Sequence, residues 1–532
     1  MGRTKTPPDD RSILSGSDFL QLNIDDAPVR GRAGWLAAQL RLAISDGRLP
    51  VGSKLPATRT LAADLRVSRG VVTEAYQRLT EDGLIAGRGR AGTTVVAAPV
   101  TARHPSRPAT PPGPARPFPT DASLPAAPPP APEAPFLDMP SAQAGRSAAQ
   151  PSGAAGLFAD PGGDVFDALR EAPARIDLSP GVPDLAAFPR AAWLRAERAV
   201  LGRLVPADFG YGDPRGTPAL RLAVAHWLAR YRGISAAPEE IVIVAGVAQA
   251  LGLLAQVLRQ DGITQVAVED PGSLGARQHL RSWQLDTPPV PVDSRGVRVD
   301  ELRALGVQAV MLTPAHQFPT GVVLDGDRRR GLVRWADEGG LIIEDDYDAE
   351  HRYDRPPVPA LRSLLAERVC YAGSVSKLLA PALRVGWLLA PERYRDALVS
   401  AKRNADLGNA ALPQLVLAEL MESGALERQL RFLRRRHVRR RDAMIAAIGT
   451  HLPGAVVHGA AAGLHLVITF AADFADADLA AAALLRGVKV QPLSWHRQRP
   501  GPPGLVLGYA ANAPSDIEQG VATLATALRS LT

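Results

Sequence analysis

A chain of 532 residues is longer than one ordinary core can serve, so two or three domains are expected. The single cysteine, Cys370, excludes an intramolecular disulfide, and no apolar run reaches the about 20 residues that cross a bilayer. The net charge is only +7, but residues 30–97 hold eleven Arg or Lys against five Asp or Glu, an excess of six in one short segment. A basic surface of that density suits a polyanion such as DNA. The polar opening MGRTKTPPDDRS has no apolar core of the signal-peptide kind, so a cytoplasmic protein without a membrane anchor is expected.

The first domain is expected over residues 18–97. Leu36, Leu40, Ala43 and Ile44 recur at spacings of three and four, which predicts a helix from Trp35 to Ser45, ended by Gly47 and Pro50. A short helix from Thr60 to Leu65, a turn at Arg66 to Ser68 and a second helix from Ser68 to Asp82 follow. Val71, Val72, Ala75, Tyr76 and Leu79 form the buried stripe of that second helix, leaving Ser68, Arg69, Gly70 and Thr73 outside. Two helices joined by a tight turn make a helix-turn-helix, whose second helix offers its N-terminal residues to the major groove. Leu84 to Ala86 and Thr93 to Val96 can pair around GRGRAG as a basic wing.

Residues 98–164 turn to Pro, Ala, Gly and Ser and have neither helical nor strand period, which predicts a flexible linker and loosely tethered flanking domains. The third segment, 165–532, alternates apolar runs with helical stretches. The runs are Ile241 to Val244, Val266 to Val268, Ala309 to Leu312, Leu341 to Ile343, Val369 to Tyr371 and Val385 to Leu389. Such alternation predicts an α/β domain with a largely parallel sheet.

The most informative local pattern is SVSKLLAPALRVGW, where Lys377 follows a strand through a small-residue turn and Arg384 lies seven residues on. Upstream, the strand LII runs into EDDYD, so Asp345 and Tyr347 emerge at the carboxyl end of a neighbouring strand, where α/β sheets bind ligands. A lysine amine can condense with an aldehyde, a carboxylate can keep a pyridine nitrogen protonated, and a phenol can bond a ring oxygen. Ser374, Ser376 and Arg384 can bind a phosphate. Together they describe a pocket for pyridoxal 5'-phosphate (PLP). No metal site is read.

Two sets of motifs carry a resemblance. LPATRTLA, VSR, EAY, RL, DGLI and GTTVV resemble the GntR-type winged helix over about 65 residues. SPGVPD, YGDPRGTPALR, AGVAQAL, EDPGSLGAR, TPAHQFPTG and the lysine motif resemble fold-type I aminotransferases from about Asp177 onward. In this order they resemble the MocR family of GntR-type regulators. The resemblance implies an α+β winged helix, then an α/β PLP-binding large domain with a smaller α+β C-terminal domain. Arg59, Ser68, Arg69 and Thr73 would contact an operator in double-stranded DNA, with Arg88 and Arg90 in the wing. Val247, Ala248 and Gln249 would cradle the PLP phosphate, and Tyr211 would reach the phosphate of a partner protomer, which implies a homodimer. His316 and Gln317 stand where aminotransferases place an asparagine beside the ring oxygen.

Two departures bear on function. Ser273 occupies the usual place of an aromatic that stacks on the pyridine. Val506, or Leu505 in a register one residue off, stands where an aminotransferase has the arginine that grips the substrate carboxylate; Arg497 and Arg499 are the nearby loop cations that could replace it, although solvated charges are the simpler reading of both. A regulator is therefore expected, sensing PLP to control its synthesis or salvage, or sensing a PLP adduct with an amino acid or amine. The alternatives are a working aminotransferase with an accessory DNA-binding domain, and a DNA-binding protein whose second half only dimerises.

Overall fold

The computed structural model of the protein describes residues 22, 24, 27–28, 31–45, 48–87, 92–97, 154–353 and 358–531. The first unit holds helices α1 (Arg32–Ser45), α2 (Thr58–Asp64) and α3 (Arg69–Glu81), and strands β1 (Lys54–Leu55), β2 (Ile85–Gly87) and β3 (Thr93–Val95). The strands form an antiparallel sheet in the order β1-β3-β2, a winged helix. Leu36, Leu40, Ile44, Leu61, Val72, Ala75 and Leu79 share its core, while Val71 sits half-buried at the margin. Strand β1 is an addition to the expected elements. Two residues carry no period, and what fixes them is the pairing of Lys54 and Leu55 with Thr94 and Thr93.

The linker expected over 98–164 ends too late. Residues 98–153 lie outside the described ones, but Ala154–Ala159 is helical, and Phe158 is buried and stacked on Trp495 with ring centroids 5.2 Å apart. Leu157 and Phe158 are two apolar residues in an Ala- and Gly-rich stretch, so average composition hides an anchor that tertiary burial supplies.

The body has an eight-stranded sheet built from β5 (Ile241–Val244), β6 (Ala267–Asp270), β7 (Pro289–Asp293), β8 (Gly296–Val297), β9 (Ala309–Leu312), β10 (Leu341–Asp346), β11 (Val369–Ser374) and β12 (Gly386–Leu389). Their order is β5-β12-β11-β10-β9-β6-β7-β8, counting as β4 a short strand, Ile176–Asp177, that lies apart. The run from β11 through β10, β9 and β6 to β7 is parallel, and β12, β5 and β8 pair antiparallel at the two flanks. Strands buried on both faces read as continuous apolar runs, which is why β5 and β9 match their sequence limits. Strand β11 carries Cys370 at its centre, wholly buried, its thiol pushed up to about 12 by desolvation.

The smaller C-terminal unit contains a sheet of β13 (Ala455–His458), β14 (His465–Phe470), β16 (Gln491–Pro492) and β17 (Gly504–Gly508), while β15 (Val488–Lys489) pairs in parallel with β4. The chain thus crosses between the two units twice, and a cavity opens between them.

The winged helix is not loosely held. Leu364 of the body is part of its core, with Val333 and Leu365 packed against it. Arg329, buried, lies under Gly83, and a Cβ on Gly326 would overlap the carbonyl oxygen of Thr80. The expectation of loose tethering considered only linker composition; the contact comes from surfaces that composition does not reveal.

Candidate cofactor site and DNA-reading surface

A cavity of about 850 Å³ lies at the carboxyl ends of the parallel strands. Its wall contains Lys377, Asp345, Tyr347, Ser374, Ser376, Arg384 and Val247, seven of the twelve residues expected at the cofactor. Asp345 sits one residue from the end of β10, Ser374 ends β11, and Lys377 follows in the turn after it.

The Lys377 amine donates to the Gly181 carbonyl at 2.6 Å, and burial lowers its pKa below the usual lysine range. A partly deprotonated, fixed amine is what condensation with an aldehyde requires. Burial, then the charges of Asp346 and Asp348, push the Asp345 carboxyl up to about 7, against the opposing pull of Lys377. Its Oδ1 is buried with no hydrogen-bond partner among the described residues. An orphaned acceptor of this kind fits a ring N–H. PLP therefore matches the donors and acceptors present.

The phosphate end is built from backbone. Gly246 has φ +81° and starts the helix Val247–Gln260, whose first amides have no acceptor within the helix and so favour an anion. A Cβ on Gly246 would approach the Arg384 guanidinium at 3.2 Å, so glycine is required by both backbone and space. Arg384, itself in the left-handed region at φ 51°, donates to the Ala245 carbonyl. Gln249 turns away from the cavity. Its amide oxygen accepts from Ala245 N at 2.8 Å and its nitrogen donates to Asp406 at 2.7 Å, so it pins the turn from outside. Ala248 has no side chain in the wall and can act only through its amide.

His316 and Gln317 do not line the cavity. His316 Nδ1 lies 2.9 Å from the Tyr347 hydroxyl and 2.9 Å from Asp348 Oδ2, so it braces Tyr347 from behind. Gln317 donates to Pro271 O at 2.9 Å and accepts from Thr320, holding its own turn. The wall position goes to Phe318, the next residue, which faces His465 and His496 at ring-centroid distances of 5.0 Å each. The motif HQFPTG contained that residue, but only the fold decides which of three neighbours points inward. Ser273 also lines the cavity and caps the helix Leu274–Ser282 through Ala276 N. Phe166, Leu464, His465, Gln491 and His496 complete the far side, and these come from segments with no motif to find them.

Val506 is fully buried with Val467 and Leu493, and Leu505 faces the opposite core. Arg497 donates to Pro502 O and Arg499 to Pro289 O, and neither lines the cavity. Tyr211 is 94% exposed, outside the cavity of its own chain.

On the winged helix, Arg59, Ser68, Arg69 and Thr73 are all exposed at the N-terminal end of α3 and its neighbour α2, on the side away from the body. Arg88 and Arg90 lie outside the described residues.

Comparison with known proteins agrees with both halves. Residues 33–95 match the bacterial regulatory proteins of the gntR family, and residues 175–504 match aminotransferase class I and II. The chain is similar to the probable rhizopine catabolism regulatory protein MocR of Rhizobium meliloti, 31% identical with 93% of each chain covered. It is also similar to the HTH-type pyridoxine biosynthesis transcriptional regulator PdxR of Corynebacterium glutamicum, 29% identical over 90% of this chain and 91% of the relative. Among solved structures, Pyrococcus horikoshii kynurenine aminotransferase superposes with a TM-score of 0.63 at 26% identity, covering 69% of this chain and 93% of that one. LysN, an α-aminoadipate aminotransferase from Thermus thermophilus complexed with N-(5'-phosphopyridoxyl)-L-leucine, gives 0.63 at 26%, covering 71% and 97%.

Proposed function

The chain belongs to the MocR family of GntR-type transcriptional regulators, and from that premise we propose that it is a PLP-responsive regulator in which Lys377 and Asp345 hold the cofactor and the α3 end of the winged helix reads an operator. It binds DNA through a GntR-type winged helix and PLP through an aminotransferase-like domain. When bound, PLP supplies an electron-withdrawing ring and an aldehyde that can join an amine.

The chain's own groups divide the work. Lys377 offers the amine and Asp345 the acceptor for a ring nitrogen. Tyr347, held by His316, offers its hydroxyl to the ring oxygen. Ser374, Ser376, Arg384 and the amides of 247–249 neutralise the phosphate. One observation favours sensing over catalysis: the cofactor groups are retained, while the substrate-arginine position is Val506 in an apolar cluster. Fast transamination needs a clamped carboxylate to orient the breaking bond, so residual half-reactions are the most the site would support. PLP itself is then the favoured signal, and control of its synthesis or salvage the favoured output. Homodimerisation is supported by the apolar surface around Tyr211, where Phe209 is 67% and Leu194 60% exposed.

The test is an electrophoretic shift of the adjoining intergenic DNA with and without PLP. A change in affinity with PLP is expected; identical shifts at saturating PLP would overturn the reading.

A further inference from the structure

Strand β10 has two faces. Asp345 looks into the cofactor cavity, whereas Glu344 and Asp346 look the other way and hold the segment 358–365. Glu344 accepts from Leu361 N at 3.0 Å and from Arg362 N at 3.1 Å. Asp346 pairs with buried Arg232 and accepts from the Tyr371 hydroxyl, and Arg232 in turn donates to Val358 O. The backbone of Arg232 also accepts from Ala360 N at 2.9 Å.

The segment so held carries the winged helix. Leu364 enters its core, and Pro359, Ser363 and Leu364 share a small crevice with Arg41, Asp82 and Leu84. Arg329 donates to Pro359 O at 2.9 Å, and a Cβ on Gly83 would stand 2.9 Å from its Cδ. The second support is the N-terminus of the helix Gly326–Asp337, pressed on Thr80. Residues 313–325 join that helix to the cavity wall at Thr313 and Phe318.

We propose that the helix Gly326–Asp337 and the segment 358–365 form a seat for this chain's own winged helix, and that strand β10 couples the seat to the cofactor cavity. The winged helix is gripped by the C-terminal end of α3 and the turn after it, so the DNA-reading end stays free. Coupling follows from adjacency of charge. The Asp346 charge is among the causes that raise Asp345, and a cation set against Asp345 would favour its ionised form, which acts back on Asp346 and its hold on Arg232. This rests on the proposed response to PLP.

The test uses the full chain. Gly326→Ala puts a helix-favouring methyl on the body, touches neither cavity nor DNA-reading residues, and yet overlaps Thr80 O. Gly326→Leu enlarges the same overlap if the smaller one is absorbed. PLP affinity by absorbance titration should stay within about twofold, while the effect of PLP on operator affinity falls by about fivefold or more. Hydrogen exchange should rise at 80–84 and 361–365 in the variants. A PLP effect kept at its wild-type size by both variants would overturn the coupling, and unaltered exchange in both would overturn the seat. A wild-type protein whose operator affinity ignores PLP would instead end the proposed function and the coupling together, while exchange would still decide the seat.

Discussion

The two sides of the cavity have diverged to different degrees. On the cofactor side, Lys377, Asp345, Tyr347 and Arg384 stand together with the helix N-terminus, each braced by a neighbour. On the far side, the substrate-binding cation is replaced by Val506, and the remaining wall is Phe166, Leu464, His465, Gln491 and His496. A cofactor can be held by the first side alone. Turnover requires the second. The contrast separates binding of PLP from the chemistry done with it.

The comparison breaks most easily at Lys377. Lys377→Ala should abolish the near-visible absorbance of bound PLP and the borohydride-reducible label. A label of undiminished yield on another residue would move the pocket.

Next in size is Asp345→Asn. Removing one buried charge-assisted hydrogen bond costs about 1.5–3 kcal/mol, so PLP affinity should fall about ten- to a hundredfold by absorbance titration. Unchanged affinity would mean that Asp345 does not face the ring.

The same variant has a smaller effect without PLP. The Asp345 carboxyl is raised to about 7, so the folded protein holds this proton more tightly than the unfolded chain. Its ionisation therefore costs stability above pH 7, and the cost fades as pH falls through 7 toward 3.8. Asp345→Asn should raise the melting temperature of the PLP-free protein at pH 8, raise it less at pH 5, and leave it unmoved near pH 3. A gain independent of pH would assign the effect to packing.

The smallest expected effect sharpens the comparison from the far side. With Val506 in the arginine position, millimolar γ-aminobutyrate added to the PLP-loaded protein should shift operator affinity by less than about twofold. A several-fold shift in the same titration would give the far wall a carboxylate site after all, with Lys489 and Arg170 its nearest cations in the cavity.

How much of this was legible in sequence depended on whether a motif or a surface carried the information. The strands Ile241–Val244 and Ala309–Leu312 were readable to the residue because both faces are buried, and α3 because its stripe repeats at three and four. Lys377, Asp345 and Arg384 were readable because their chemistry demands those residue types. His316 and Phe318 were not separable, since the turn at 316–319 decides which side chain enters the cavity. The anchor at Phe158 and the seat at Gly326 were hidden for a related reason. Each depends on a partner more than 200 residues away, Trp495 for one and Thr80 for the other.

Cys370 gives the chain a practical property. The only thiol lies in the middle of β11, out of reach of solvent and held protonated, so alkylating dyes have no native target. A fluorophore pair placed on new cysteines at Gln77 of α3 and Asp337 of the body would therefore report through energy transfer on the separation of the two domains, in the unmodified background and in real time, as PLP or DNA is added.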